Sequence, residues 1–87
     1  MSLEGKKHQA FVAATRRFPH FELPIRRLIE TSENFRDICE ELVDAERALA
    51  ACKDAPAARQ AEWRELVDRL VSEVDSAIRS DVSARTH

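Results

Sequence analysis

The stretch that most constrains this chain lies between Phe35 and Cys52. Phe35, Ile38, Leu42, Ala45, Leu49 and Cys52 alternate in steps of three and four. That spacing is a heptad a/d seam, a narrow apolar stripe along one helix that needs a second helix laid against it. The second helix follows Pro56, where Trp63, Val67, Leu70, Val74 and Ala77 repeat the pattern. Asp54-Ala55-Pro56 is the turn between them. Asp54 or Ala55 caps the second helix and Pro56 enters its first turn. So short a link forces the two helices antiparallel.

The sequence therefore predicts an all-α fold: an antiparallel, coiled-coil-like helical hairpin over about 33–53 and 57–80, preceded by one or two short helices. Its seam is Phe35, Ile38, Leu42, Ala45, Leu49, Trp63, Val67, Leu70 and Val74. Composition agrees. One glycine and three prolines leave little for sheet turns, and 87 residues make one domain, 1–87. The chain ends, 1–5 and 81–87, carry no apolar period and are expected to fray.

Ahead of the hairpin, Phe11, Ala14 and Phe18 share one face of a short helix over 7–17, with Arg16 and Arg17 at its C-terminal end. Phe18-Pro19 ends it, because a residue before proline leaves the α region. Phe21, Ile25, Leu28 and Ile29 form a second apolar face. Regular helix is expected there from about Pro24, with Phe18 to Leu23 as a bent lead-in. Thr31-Ser32-Glu33 is a restart signal, with Ser32 as cap and Glu33 in the first turn. A helix running straight through this point is the alternative.

This order of residues resembles the YdcH-like family of small bacterial proteins, a family of unassigned function. The match covers Phe18-Pro19, the aromatic at Phe21, Ile25 and Leu28, then Phe35, Ile38, Leu42 and Leu49, then a polar turn and a second amphipathic helix. Pro24 departs from the family pattern, which is uninterrupted helix there, and the segment before Phe18 is an addition. The resemblance implies a long helical hairpin that self-associates, and it carries over no catalytic or binding residue.

The residues themselves exclude most chemistry. One glycine cannot build a phosphate-binding loop, and no serine has a hydrolase motif around it. His8, His20 and His87 have no cysteine or histidine at metal-ligand spacing, and no cofactor is implied. Asp37, Glu40, Glu41 and Asp44 lie along one helix face and read as a solvated surface. Cys39 and Cys52, on one helix, point roughly 140° apart at about 20 Å, too far to bridge. Free thiols place the chain in a reducing cytoplasm. No stretch approaches the ~20 apolar residues of a membrane span, and the start is too short and polar for a signal peptide.

Two interaction readings remain. The last helix has a stripe wider than one seam, edged by Leu66 and Ala77 on one side and by Val71 and Ile78 on the other. Cys39 and Val43, with Ala50, make a second row on the long helix, interrupted by Glu46. Leu66, Val71, Ile78, Cys39 and Val43 thus mark a possible homodimer interface. An unknown protein partner is a further possibility. The other reading is an anion-binding segment, for nucleic acid or a membrane surface. Lys6, Lys7, Arg16, Arg17, Arg26 and Arg27 face only Glu4, Glu22 and Glu30 within the first thirty residues. Internal pairing of those cations is the simpler account. With a net charge of −2 and no reading motif, nucleic acid is not an expected partner. Labelled DNA and RNA titrated at ~150 mM salt should show no sub-micromolar binding. Tight, salt-sensitive binding lost in an Arg16→Ala/Arg17→Ala variant would reverse this ranking.

Overall fold

A computed structural model describes residues 3–85, as four α-helices and one 3₁₀ turn, with no strand among them. Residues 1–2 and 86–87, His87 included, lie outside the described residues. The helices are α1 (Leu3–Arg17), α2 (Glu22–Thr31), α3 (Glu33–Ala51) and α4 (Ala57–Arg85), with the 3₁₀ turn at Pro19–Phe21.

Local chemistry sets each boundary. Phe18 sits at φ −131°, ψ 66°, outside the helical region, as a residue before proline must. Pro24 is the third residue of α2, where a backbone N–H has no intrahelical acceptor, so its missing donor costs nothing. That is why α2 begins at Glu22 rather than near Pro24. Ser32 is extended at φ −121°, ψ 108°, and its Oγ accepts from the Phe35 N–H at 3.1 Å. The chain therefore breaks here and restarts. Across the break, an Arg36 guanidinium nitrogen donates to the Ile29 carbonyl at 2.8 Å, satisfying an orphan acceptor of α2.

At the other end of α3, the Cys52 N–H donates to the Ala48 and Leu49 carbonyls. Pro56 stands just before α4 rather than inside its first turn, and its carbonyl accepts from the Arg59 and Gln60 N–H groups. The Gln60 side-chain amide folds back onto the Lys53 and Ala55 carbonyls at 2.9 and 2.8 Å. No cap of this kind was expected from Gln60. Helix α1 starts at Leu3, and α4 continues to Arg85, past the expected end near Ser80. Two residues hold that last stretch: Asp81 accepts from Arg27 of α2 at 2.7 Å, and Val82 packs against the core. On α4, Arg79 pairs with Asp75 one turn earlier at 3.0 Å, whereas Glu65 and Arg69, at the same spacing, are not among the ion pairs of the described residues.

Helices α3 and α4 share the most extensive contact, followed by α1 and α3, while α2 touches all three of the others. The core combines Phe35, Cys39, Leu42 and Ala45 of α3 with Val67, Leu70, Val74 and Ile78 of α4. Ile25 and Ile29 of α2 and Ala10 and Ala14 of α1 complete it. Ile38, Leu49 and Trp63 sit half-buried at its margin.

Two proposed interface residues are corrected by this packing. Cys39 (0 % exposed) and Ile78 (1 %) lie inside the chain's own core and present nothing to a partner. Leu66 and Val71 are half-buried and pack against the same core. The physical reason is α1. Helix α1 packs against α3, and its Ala10 and Ala14 belong to the same buried cluster as Cys39, while further along that row Val43 stays half-buried and Ala50 exposed. Glu46, which interrupts that row, is met by Arg17 of α1 through Nη2 at 2.6 Å and Nε at 3.1 Å.

Leu42→Ala or Leu70→Ala should each cost about 2–5 kcal/mol in chemical or thermal melts. Glu41, exposed on the far side of α3, should change stability by under about 0.5 kcal/mol when replaced by Ala. Equal effects at Leu42 and Glu41 would mean that the α3 core face is misassigned.

Candidate functional site

The six cations of the N-terminal third do not converge. Lys7 pairs with Glu30 at 3.2 Å, Arg17 with Glu46, Arg26 with Glu22 at 3.0 Å, and Arg27 with Asp81. Arg26 also stacks over the Phe11 ring, 4.9 Å from its centroid, a cation–π contact between α2 and α1. The Arg27–Asp81 pair is the more sheltered one, with the Asp81 side chain 14 % exposed and also receiving Arg85 at 3.4 Å. Arg27 Nε is buried without an acceptor among the described residues, so the pair is held by a single guanidinium nitrogen. Lys6 and Arg16 remain, exposed and without a carboxylate partner among the described residues.

Lys6 and Arg16 do share a surface. Helices α1 and α3 flank an open groove made of two adjoining hollows of about 510 and 440 Å³. One hollow is bordered by Lys6 of α1 and by Glu40 and Asp44 of α3. The other is bordered by His8 and Arg16 of α1 and by Glu46 of α3. Val43 and Arg47 border both. The sequence groups Lys6 with Arg16 in one basic set, sets Val43 in an apolar row and Glu40 and Asp44 in an acidic strip, and gives no separate signal for their convergence with Arg47. The position of Arg47 at i+3 and i+4 from Asp44 and Val43 places it on their side of α3.

Neither cysteine is in a disulfide. Burial, aided by the negative charge of Glu40, pushes the Cys39 thiol from its ordinary 9.0 up to about 12. A thiol so held is a poor nucleophile. Cys52 is half-buried in the link and its Sγ donates to the Leu49 carbonyl at 3.3 Å. Among the described residues, no group of three or more His, Cys, Asp or Glu side chains is placed to hold a metal ion. Likewise, no helix is long and apolar enough to cross a membrane.

No known protein family, curated protein or solved structure matches the chain.

The Cys39 environment gives a pH signature. Between pH 9 and about 12 the unfolded thiol has lost its proton while the folded one keeps it. The folded state then binds more protons, so stability falls as pH rises through that window, by at most about 1.4 kcal/mol per pH unit. Urea melts at about pH 8 and about pH 10.5 should show a steeper loss for the native chain than for Cys39→Ala. Equal losses would show that Cys39 ionises normally. In the folded protein a thiol reagent should modify Cys52 and spare Cys39.

Proposed function

We propose that this protein is a non-enzymatic helical module that works by protein–protein contact, beginning with contact between its own copies. The framework is an antiparallel, coiled-coil-like hairpin of α3 and α4. Three features support that arrangement. The link over 52–56 is short, and Gln60 ties it closed. The Arg27–Asp81 pair brings the far end of α4 to α2, whose last residue lies next to the start of α3. The two apolar seams supply the buried faces of both helices. The YdcH-like resemblance, which implies a self-associating hairpin, points the same way.

The observation that carries the reading is where the polar groups are. No polar or charged residue is buried as a whole among the described residues. The perturbed group, the Cys39 thiol, is sealed in the core rather than set in a cleft. Catalytic groups need shifted pKa values beside a substrate-sized pocket, and among the described residues the raised Cys39 thiol and the open groove do not coincide. What the surface does offer is long charged side chains around a shallow channel. The alternative, an anion-binding module, keeps only Lys6 and Arg16 of its six cations unpaired, and so is the weaker reading.

Sedimentation equilibrium at micromolar concentration tests self-association. The average mass should exceed that of one chain and rise with concentration. A single-chain mass that stays constant across the range would remove self-association from this proposal.

A further inference from the structure

We infer that residues 81–85, the last turns of α4, form a strap whose helical order is conditional on the Arg27–Asp81 pair, and that its opening adds Arg27 and Val82 to the surface. The inference goes beyond the self-association reading and holds for a single chain.

The strap has little of its own to make it helical. Residues 81–85 carry no apolar period, and Ser83, Ala84 and Arg85 are exposed. Asp81 stands near the end of α4, where the last carbonyl groups make a helix negative and a carboxylate is unfavourable unless neutralised. Two arginines neutralise it. Arg27 of α2 donates through Nη2 to Oδ2 at 2.7 Å, and Arg85 donates through Nε to Oδ1 at 3.4 Å. The Arg85 pair is long, its arginine is 54 % exposed, and both its members travel with the strap. It therefore ties the strap to nothing else. Arg27 does, because α2 is held in place by Ile25 and Ile29 in the core. Val82, half-buried, packs on that core beside the pair. Ile78, one turn before Val82, is fully buried. The boundary between anchored helix and strap thus falls between Ile78 and Asp81.

Closed and open forms are close in free energy because each gains what the other loses. Closing forms a charged hydrogen bond and covers part of Val82. It also orders a long arginine and leaves Arg27 Nε buried without an acceptor among the described residues. Opening returns that N–H to water. Breaking an ion pair is most costly where it leaves a charge buried alone. Here both charges meet solvent once the strap lifts, so that penalty does not arise. Segments with few buried apolar side chains are the ones that open separately from the rest of a fold. The open form presents the Arg27 guanidinium beside that of Arg26, together with the apolar edge at Val82.

Amide hydrogen exchange, followed residue by residue by NMR, tests the strap. In the native chain, amides 82–85 should be protected, yet exchange at least about tenfold faster than amides 70–78. Arg27→Gln should speed exchange at 82–85 about threefold or more and leave 70–78 unchanged. Arg85→Gln, which removes only the pair inside the strap, should have the smaller effect. Native amides 82–85 as slow as 70–78 would overturn the inference, because the strap would then open only with the whole fold. Native amides 82–85 with no protection would overturn it too, because the strap would never close. An Arg27→Gln variant that leaves 82–85 unchanged, or speeds both segments equally, would also overturn it, as would a larger effect from Arg85→Gln. If Arg27→Gln loses its helix by circular dichroism, salt on the native chain decides. Raising it from about 50 mM to about 500 mM should speed exchange at 82–85 and not at 70–78, and the absence of that difference would overturn the inference.

Discussion

The burial of one face of α3 is the constraint on which the rest of the structure depends. Phe35, Cys39, Leu42 and Ala45 are all but closed to solvent. At about 100° per residue they span roughly 120° of the helix, more than one neighbour can cover along a narrow seam. The seam through Leu42 and Ala45 belongs to α4. The flank through Cys39 and Val43 needs a second cover, and α1 provides it. Helix α2 then closes the remaining side with Ile25 and Ile29. A hairpin alone would leave Cys39 at the edge of a bare apolar row. The N-terminal segment is thus part of the core rather than an appendage to α3 and α4.

Charge follows the same division. Among the described residues, three ion pairs join different helices: Lys7–Glu30, Arg17–Glu46 and Arg27–Asp81. Exposed pairs contribute at most about 1 kcal/mol each, so they do not hold the fold together. Their larger effect is on what remains available. Once those cations are engaged, Lys6, Arg16 and Arg47 are the cations around the groove that have no ion pair among the described residues. Glu46 shows how packing and charge combine. A carboxylate in an apolar row is costly to cover unless a partner comes with the cover, and Arg17 arrives on the same helix as Ala13 and Ala14.

The parts legible in the sequence were those with strong local signals. Heptad spacing located α3 and α4, Phe18-Pro19 and Pro56 placed two breaks, and Ser32 marked the third. The role of α1 was harder to see because its buried residues are alanines. Ala10 and Ala13 have too little apolar surface to dominate a helical pattern, so Phe11 and Phe18 drew the attention, yet both are only half-buried. Cys39, Val43 and Ile78 lie outside the a/d positions of their helices, and periodicity cannot say whether such a row meets another copy or a distant part of the same chain. The Arg27–Asp81 pair was hidden for a related reason. Its members lie far apart in sequence, and only the packed fold brings them together and carries α4 past Ser80.

The groove itself is a consequence of those alanines. Short side chains let two helices approach closely, and longer ones beside the contact must then project outward along its edges. On α1, Ala10, Ala13 and Ala14 make the contact, while Lys6 and Arg16 flank it. On α3, Cys39 is buried, while Glu40, Asp44 and Arg47 line the outer side. A helix with leucine or phenylalanine at the α1 contact positions would stand further off and broaden the channel. The feature that made α1 inconspicuous in the sequence therefore sets the polar groove between α1 and α3. Close packing inside and a charged groove outside are two results of one choice of small residues.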